Sequence, residues 1–139
     1  MIHTAPLARA VSRLEESLNW CDSSLAQDSP ELFEQFRTAA IKGFEFTYEL
    51  AWKLQKRYLE EETGVAEIDH LSRRDLFRTA AEAGLIADAT TWFVYHQARN
   101  LTAHTYNTEP AVKVMASLRP FVADVRRLLE ILNQRLGNE

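Results

Sequence analysis

The sequence predicts an all-α fold, an up-and-down helical bundle of about five helices that forms one domain over residues 1–139. Two observations predict it. Apolar residues recur at spacings of three and four along most of the chain, and no segment shows the alternation typical of a half-buried strand. Only four Gly and four Pro interrupt the 139 residues, which favours long helices. A hydrophobic content of 46% is enough for one sizeable core.

The first two helices are predicted from the apolar spacing and from capping residues. An amphipathic helix is expected from Pro6 to about Gln27. Ser29 and Pro30 supply a cap and a first-turn proline for a second helix, which should reach about Glu62. We expect other elements to cover this second helix from two sides, because it carries apolar residues on two flanks. One flank holds Ile41, Phe44, Tyr48, Ala51, Trp52 and Leu59, and the other holds Phe46, Leu50 and Leu54.

Three further helices follow the second one. Ser72 begins a pattern similar to a capping box, which predicts a short helix through Ala83. A fourth helix follows it and carries the candidate site described below. The last helix is expected from Thr108 to about Leu136, and Pro120 inside it should bend it or split it into two.

Charge and cysteine content restrict the function and the location of the protein. The net charge of −4 argues against a general nucleic-acid coat, because such a coat neutralises phosphates with Lys and Arg. The charge is nevertheless uneven, −6 up to His70 and +2 from Leu71 onward, so local contact with RNA stays open. Cys21 is the single cysteine, and no signal pattern or membrane-length apolar run occurs. We therefore expect a cytoplasmic protein without membrane contact.

The segment from Trp92 to Asn107, called here the motif segment, concentrates side chains that transfer protons or bind anions. Residues 88–91 can cap a helix that starts just before it. A helix does not need so many polar groups in order to fold, so we place the candidate site here. Its members are His96, Arg99, Asn100, His104 and Tyr106.

A helical projection separates Arg99 from His104. With roughly 100° per residue, these two side chains lie about 140° apart, too far round one helix for both to reach one phosphate. Either the helix unwinds near residues 102–105, or a second copy of the chain completes the site. The stripe expected to face the chain's own core comprises Val94, Ala98 and Leu101.

The polar side of the same projection has the composition of a subunit interface. Trp92 and Phe93 project there and add apolar bulk among polar groups, which favours contact with a second copy. Tyr106 falls on the same ridge as Arg99. The polar side of this helix is therefore the predicted dimer contact.

Metal binding and loop-based nucleotide binding are disfavoured by the sequence. His96, Asn100 and His104 recur about one turn apart, but Asn is a poor zinc ligand and no Cys or carboxylate accompanies them. The chain has no Gly-rich phosphate loop and no spacing typical of a nucleophilic triad. We therefore expect neither a metal nor a cofactor.

Metal-free cleavage of an RNA phosphodiester is the chemistry that remains. Attack by the RNA's own 2′-hydroxyl requires a group that transfers a proton near neutral pH, which the imidazole of His104 offers. Arg99 would stabilise the negative charge that accumulates on the phosphorane, with Asn100 as a neutral donor. The alternative is that His96 and His104 are surface or interface histidines. In that case Arg99 pairs with a carboxylate such as Glu45.

The string RNLTAHTY, from Arg99 to Tyr106, resembles the Arg-x4-His-x-Tyr motif of HEPN-domain proteins, in particular the HepT-like toxins. These proteins are also catalogued as nucleotidyltransferase substrate-binding proteins. The resemblance includes the string FEFTYELAWK at residues 44–53 in the second helix. It continues through residues 84–88 and Trp92 in matching order, so it covers much of the chain.

The resemblance implies a HEPN-like helical bundle that forms a homodimer through the motif helix, with a composite ribonuclease site at the interface. By motif position, Arg99 would bind the scissile phosphate and His104 would be the general acid/base, with Asn100 and His96 as supporting residues. The resemblance also implies a cognate MNT-type nucleotidyltransferase antitoxin, which would transfer AMP from ATP to Tyr106. The added phosphate would then exclude the RNA substrate, for which tRNA is one candidate.

Two functions follow from these observations. The first is a toxin that cleaves RNA without a metal ion. The second is a non-catalytic partner subunit, which presents a substrate or its own Tyr106 to the nucleotidyltransferase. Glu45 and Tyr48 of the second helix are expected to pack or to form structural pairs, because Tyr48 lies on the main apolar face.

Overall fold

Six α-helices and two 3₁₀ turns make up the computed structural model, which describes residues 2–64 and 66–137. No strand occurs in these residues, so the prediction of an all-α bundle is confirmed. None of the helices there has the length and apolar content that crossing a bilayer requires. The helices are α1 Ala5–Cys21, α2 Ser24–Asp28, α3 Pro30–Thr63, α4 Arg73–Glu82, α5 Ala89–Leu101 and α6 Thr108–Leu136. The 3₁₀ turns are Ala66–His70 and Thr102–His104.

The first predicted helix is in fact two helices. α1 ends at Cys21 instead of continuing to Gln27, which accounts for the extra helix in the bundle. Ser23 lies at the break, where its Oγ accepts a hydrogen bond from the N–H of Ala26 at 3.3 Å and donates one to the carbonyl of Trp20 at 2.6 Å. Short hydroxyl side chains compete with the helical hydrogen bonds of the backbone, and so they favour caps over helix interiors.

Aromatic rings from α3, α5 and α6 form the centre of the core. Phe121 packs edge-to-face on Phe44, with 4.9 Å between the ring centroids, and on Tyr95, with 5.1 Å. All three rings are buried. Burial of one such phenylalanine ring stabilises the fold by about 1.5–3 kcal/mol. These contacts hold α5 against α3 and α6, and thereby fix the position of the motif segment.

α3 is not covered from two sides along its whole length. Phe44 and Tyr48 are fully buried, whereas Phe46 is 63% exposed and Leu50 and Leu54 are half-buried. The prediction is therefore wrong at Phe46. The helices that pack on α3 bury the side that carries Phe44, and they leave the ring of Phe46 open to solvent.

α6 runs as one helix through Pro120, so of the two predicted outcomes, a bend or a split, the split does not occur. A proline removes the hydrogen bond to the carbonyl four residues earlier, here that of Ala116. Both Ala116 and Pro120 are exposed, which lets water satisfy that carbonyl. On the opposite face Phe121 and Leu118 are fully buried and hold the helix together at this point.

Candidate functional site

The motif segment begins as α5 and continues as a tighter 3₁₀ turn. Asp88 caps α5, since its carboxylate accepts the N–H of Thr90 at 2.9 Å and the hydroxyl of Thr91 at 3.1 Å. α-Helical winding ends at Leu101, and Thr102–His104 follow as the 3₁₀ turn. The α-helix does end near residues 102–105, but the chain tightens there instead of unwinding as the first predicted option had it. An ideal helical projection does not apply to His104 and the residues after it.

α5 is rotated relative to the predicted orientation. Its buried residues are Trp92, Tyr95 and Ala98, whereas Val94 is 45% exposed and Leu101 is half-buried. The expectation that Val94 faces the core is wrong, and so is the assignment of Trp92 to the dimer contact. The rings of Trp92 and Tyr95 carry far more apolar surface than Val94 does, so burying them determines the orientation of the helix.

Arg99 is held between α3 and the end of α5. Its Nη1 donates a hydrogen bond to Thr102 Oγ1 at 3.1 Å and lies 3.5 Å from a carboxylate oxygen of Glu45. Its Nε lies 3.5 Å from an oxygen of Glu49, and the side chain is 31% exposed. The predicted alternative that Arg99 pairs with Glu45 is thus confirmed. A phosphate would compete with two carboxylates for this guanidinium.

Arg99 lines a cavity of about 650 Å³, called here the α1–α3 cavity. Three cationic and two carboxylate side chains surround it, so the cavity has a positive balance, to which Arg99 contributes from outside the acidic half of the sequence. Such a balance attracts a phosphate group. The lining residues are Arg13, Ser17, Ala39, Lys42, Gly43, Glu45, Phe46, Glu49 and Arg99.

His104 is exposed and lines a different cavity, of about 610 Å³, called here the α5–α6 cavity. In the described part of the chain the imidazole of His104 forms neither a hydrogen bond nor an ion pair, so its ring nitrogens are accessible. One chain therefore does not bring Arg99 and His104 together. The lining residues are Val94, Gln97, Ala98, Asn100, Leu101, His104, Lys113 and Ser117.

His96 belongs to a hydrogen-bonded cluster with Tyr48 and Arg73. The guanidinium of Arg73 donates to the phenol oxygen of Tyr48 at 3.0 Å, which leaves the phenol proton for Nδ1 of His96 at 2.9 Å. That acceptor role requires a neutral imidazole. Burial, and secondly the charge of Arg73, lowers the pKa of His96 below its ordinary value. Burial raises the pKa of Tyr48 to about 12, so the phenol keeps its proton.

Arg73 is the member of this cluster that sequence analysis does not single out. Its guanidinium lies 3.5 Å from the centre of the Trp52 ring, and the indole N–H of Trp52 donates to Glu49 at 3.0 Å. The cluster is thereby connected through Glu49 to Arg99. In the sequence Arg73 is recognisable only as part of a helix start. Arg73 and Tyr48 are 25 residues apart in the sequence, so no local sequence pattern predicts their contact.

Tyr106 lies in the loop before α6 and is 82% exposed. It lines a third cavity, of about 710 Å³, together with Arg37, Lys42 and Glu45 among others. Lys42 and Glu45 also line the α1–α3 cavity, so the two cavities adjoin along α3. The predicted ridge shared by Tyr106 and Arg99 is wrong, because α5 ends before Tyr106. The exposed phenol is accessible to a modifying enzyme.

The chemistry available to one chain is therefore divided between two cavities. The α1–α3 cavity can bind a phosphate at Arg99, and the α5–α6 cavity can supply proton transfer by His104 and a neutral donor in Asn100. Residues 2–64 and 66–137 contain no group of three or more His, Cys, Asp or Glu side chains placed to bind a metal ion.

Comparison with known sequences gives two matches. Residues 3–134 match the family described as nucleotidyltransferase substrate binding protein like. The chain is also 38% identical, over 120 residues, to a Haemophilus influenzae protein named probable ribonuclease HepT. That alignment covers 84% of this chain and 78% of the relative.

Comparison with solved structures gives the same fold. One is a Haemophilus influenzae protein described as having the fold of a substrate-binding domain of a nucleotidyltransferase. It has a TM-score of 0.82 and 32% identity, and the match covers 92% of this chain and 97% of that one. A Thermus thermophilus protein has a TM-score of 0.73 and 30% identity, with coverage of 91% and 98%.

Proposed function

Because this chain belongs to the family of nucleotidyltransferase substrate-binding proteins, we propose that it is the toxin of a HEPN/MNT toxin–antitoxin pair, a metal-independent endoribonuclease. The observation that carries the proposal is the 38% identity to a protein named probable ribonuclease HepT. The exposed His104 and the partly exposed Arg99, at the end of one helix, support it.

The reaction is transfer of the RNA phosphodiester to its own 2′-hydroxyl. The 2′-oxygen attacks phosphorus while an imidazole of His104 takes its proton, and the bond to the 5′-oxygen breaks with return of a proton to the leaving group. A 2′,3′-cyclic phosphate and a free 5′-hydroxyl result. The guanidinium of Arg99 neutralises charge that develops on the phosphoryl oxygens, and Asn100 donates a hydrogen bond.

A homodimer completes the site, because Arg99 and His104 line different cavities of one chain. An apolar stripe formed by Val94, Ala98 and Leu101 lies beside His104, and Val94 is exposed there. A second copy that covers this stripe would pair the two α5 helices about a two-fold axis. His104 of one protomer and the partner's Arg99 then act on the same phosphate.

Modification of Tyr106 by a partner nucleotidyltransferase inhibits the ribonuclease in this proposal. The phenol oxygen attacks the α-phosphorus of ATP, a phosphodiester to Tyr106 forms, and pyrophosphate leaves. The exposure of Tyr106 permits this reaction. Its cavity adjoins that of Arg99 through Lys42, so an attached AMP occupies cationic surface that RNA would otherwise contact.

The first test is an RNase assay of the protein purified without its partner, with EDTA present. We expect cleavage by the natural chain and none by His104→Ala or Arg99→Ala, each checked for folding by circular dichroism. Cleavage by both variants would contradict the assignment of these two residues as catalytic. If EDTA abolishes cleavage, the proposal that the reaction needs no metal ion is wrong.

Mixing the two inactive variants tests the homodimer. If Arg99 and His104 act across the interface, a mixed dimer contains one site with both native side chains. Random exchange of subunits should then restore about a quarter of the natural activity, because half of the dimers are mixed and each has one working site of two. No restoration, in a mixture shown by native mass spectrometry to contain mixed dimers, contradicts the shared site.

The second candidate function is a non-catalytic partner of the nucleotidyltransferase. The two carboxylates that pair with Arg99 favour it, because they occupy the guanidinium that catalysis needs. This function predicts ATP-dependent addition of AMP to Tyr106 and no RNA cleavage by any form. The intact mass of the co-expressed protein, with an RNase assay of the unmodified form, separates the two functions.

A further inference from the structure

Phe46 is an exposed aromatic ring that neither the core nor the proposed catalytic residues use. It is 63% exposed on α3, and within the described residues it stacks on no other aromatic ring. Lys42 lies one helical turn before it on the same face. A large apolar ring left in water beside a cation is typical of a surface that binds a ring-shaped ligand.

Two cations beside this ring have no carboxylate partner among the residues that the structure describes. In residues 2–64 and 66–137 neither Arg13 of α1 nor Lys42 of α3 forms an ion pair, and both line the α1–α3 cavity with Phe46. α1 and α3 cross closely here, since a methyl group at Gly43 would lie 3.6 Å from the Leu14 side chain. The crossing brings Arg13, the neighbour of Leu14, to the edge of the Phe46 surface.

The acidic residues of this cavity are already paired. Glu45 and Glu49 both lie 3.5 Å from the guanidinium of Arg99. Their negative charge is therefore directed towards Arg99, and Arg13 and Lys42 remain available to an anion. This arrangement occurs in the half of the sequence whose net charge is −6, where repulsion of RNA would otherwise be expected.

We propose that the α1–α3 cavity binds one nucleotide of single-stranded RNA, with Phe46 stacked on its base and with Arg13 and Lys42 on the flanking phosphates. Aromatic stacking combined with a cationic groove is the usual way in which proteins bind single strands without strong sequence preference. The proposal rests on the ribonuclease function and places this nucleotide beside Arg99.

Binding of a labelled single-stranded RNA tests the role of the ring. A 2′-O-methyl oligonucleotide cannot be cleaved through its 2′-oxygen, so fluorescence anisotropy can be measured with the full natural chain. Phe46→Ala should weaken binding about tenfold, and Phe46→Trp should retain it. Trp20→Ala is the matched control, because Trp20 is also an exposed aromatic but lies outside the cavity, and it should bind normally.

The salt dependence of binding tests the two cations. Loss of one phosphate contact lowers the slope of log K against log salt by about 0.7 for a single strand. We expect this change for Arg13→Gln and for Lys42→Gln, and an unchanged slope for Phe46→Ala. Arg9→Gln is the control, since Arg9 is exposed on α1 about one turn before Arg13 and does not line the cavity.

Several results would overturn the subsite. Equal effects of Arg9→Gln and Arg13→Gln would indicate general charge attraction. A change of oligomeric mass in Phe46→Ala, measured by native mass spectrometry, would mean that a second copy of the chain covers the ring. If the natural protein cleaves RNA and all three cavity variants bind RNA normally, the proposed subsite is wrong, but the proposed function is not affected. RNA binding that depends on these three residues, in a protein that does not cleave RNA, keeps the binding site and contradicts the proposed ribonuclease function.

Discussion

The two ends of the motif segment differ in how the fold holds them. At the first end Asp88 caps α5, Trp92 is buried in the aromatic core, and His96 is hydrogen-bonded to Tyr48. At the other end the chain tightens into a 3₁₀ turn, and His104 is exposed to solvent. The difference lies in the side chains that the core buries: Trp92, Tyr95 and Ala98 of α5 are buried, whereas Thr102 is the buried residue of the turn that follows.

The comparison of His96 with His104 shows that residue type does not by itself indicate a role. Nδ1 of His96 is already an acceptor for the phenol of Tyr48, and burial, together with the charge of Arg73, opposes its protonation. The side chain of His104 has no such partner in the part of the chain that the structure describes. An imidazole that is already hydrogen-bonded is less available for proton transfer, so the proposed catalytic role is given to His104 and a structural one to His96.

The largest expected effect separates the two histidines by activity. Loss of a general acid/base lowers the rate of RNA cleavage about 10²–10⁴-fold, and we expect this for His104→Ala. His96→Gln should keep cleavage within about tenfold of the natural chain, because it removes only a positioning contact. Rates are measured on one RNA at saturating protein. A folded His96→Gln variant that is as inactive as His104→Ala would reverse the assignment.

Stability should depend more on the buried Tyr48 than on the exposed Tyr106, whereas activity is expected to depend more on the exposed histidine. Tyr48→Phe leaves the half-buried acceptor of His96 and the half-buried donor of Arg73 without their partner, so the free energy of unfolding should fall by about 1–3 kcal/mol. Tyr106→Phe, at an exposed position, should change it by less than about 0.5 kcal/mol. Urea unfolding followed by circular dichroism measures both. Equal losses would mean that the cluster does not stabilise the fold.

The caps at the start of α5 and α6 give a smaller contrast. Asp88 accepts two hydrogen bonds from the first turn of α5, so Asp88→Ala should cost about 1 kcal/mol of the free energy of unfolding. Asn107, at the start of α6, forms no side-chain cap hydrogen bond, and Asn107→Ala should cost only a few tenths of a kcal/mol by the same reasoning. Thermal unfolding by calorimetry distinguishes them, and a larger loss at Asn107 would contradict the comparison.

The smallest expected effect is the pH dependence of His96. Its pKa in the folded protein lies below the ordinary 6.5, so the unfolded chain binds the proton more readily. The stabilisation that neutral His96 provides is complete above pH 6.5 and is lost as the pH falls through the lower, folded pKa. An NMR titration should place His96 below 6.5, and His96→Gln should flatten the decline of stability in this range. A His96 titration above 6.5 would contradict the burial argument.

Helix ends were the most predictable feature of the fold. α3 begins at Pro30 with Ser29 as its cap, and α6 runs from Thr108 to Leu136, as the sequence predicts. At the start of α3 the signal is one side chain bonding to nearby backbone, since Ser29 Oγ accepts the N–H of Leu32. At Ser23 a capping signal of the same kind competes with the apolar spacing, and the predicted helix boundary was wrong there.

Parts of the candidate site were predictable as well. The pairing of Arg99 with Glu45 and the packing of Tyr48 were expected from the sequence and are present. The exposure of Phe46 and the contact of Arg73 with Tyr48 were not, because each depends on which helix packs where. Similar apolar side chains compete for one core, and periodicity cannot say which of them is left outside.

By itself the sequence determined that this chain is helical, where most of its helices begin and end, and which family it belongs to, since hydrogen bonds to neighbouring backbone and a contiguous motif are local properties. Only the tertiary structure decided that Arg99 and His104 line different cavities and that, among the residues it describes, the imidazole of His96 is hydrogen-bonded while that of His104 is not. The physical reason is that burial of the large rings of Trp92 and Tyr95 sets the rotation of α5. That rotation depends on contacts with α3 and α6, far away along the chain.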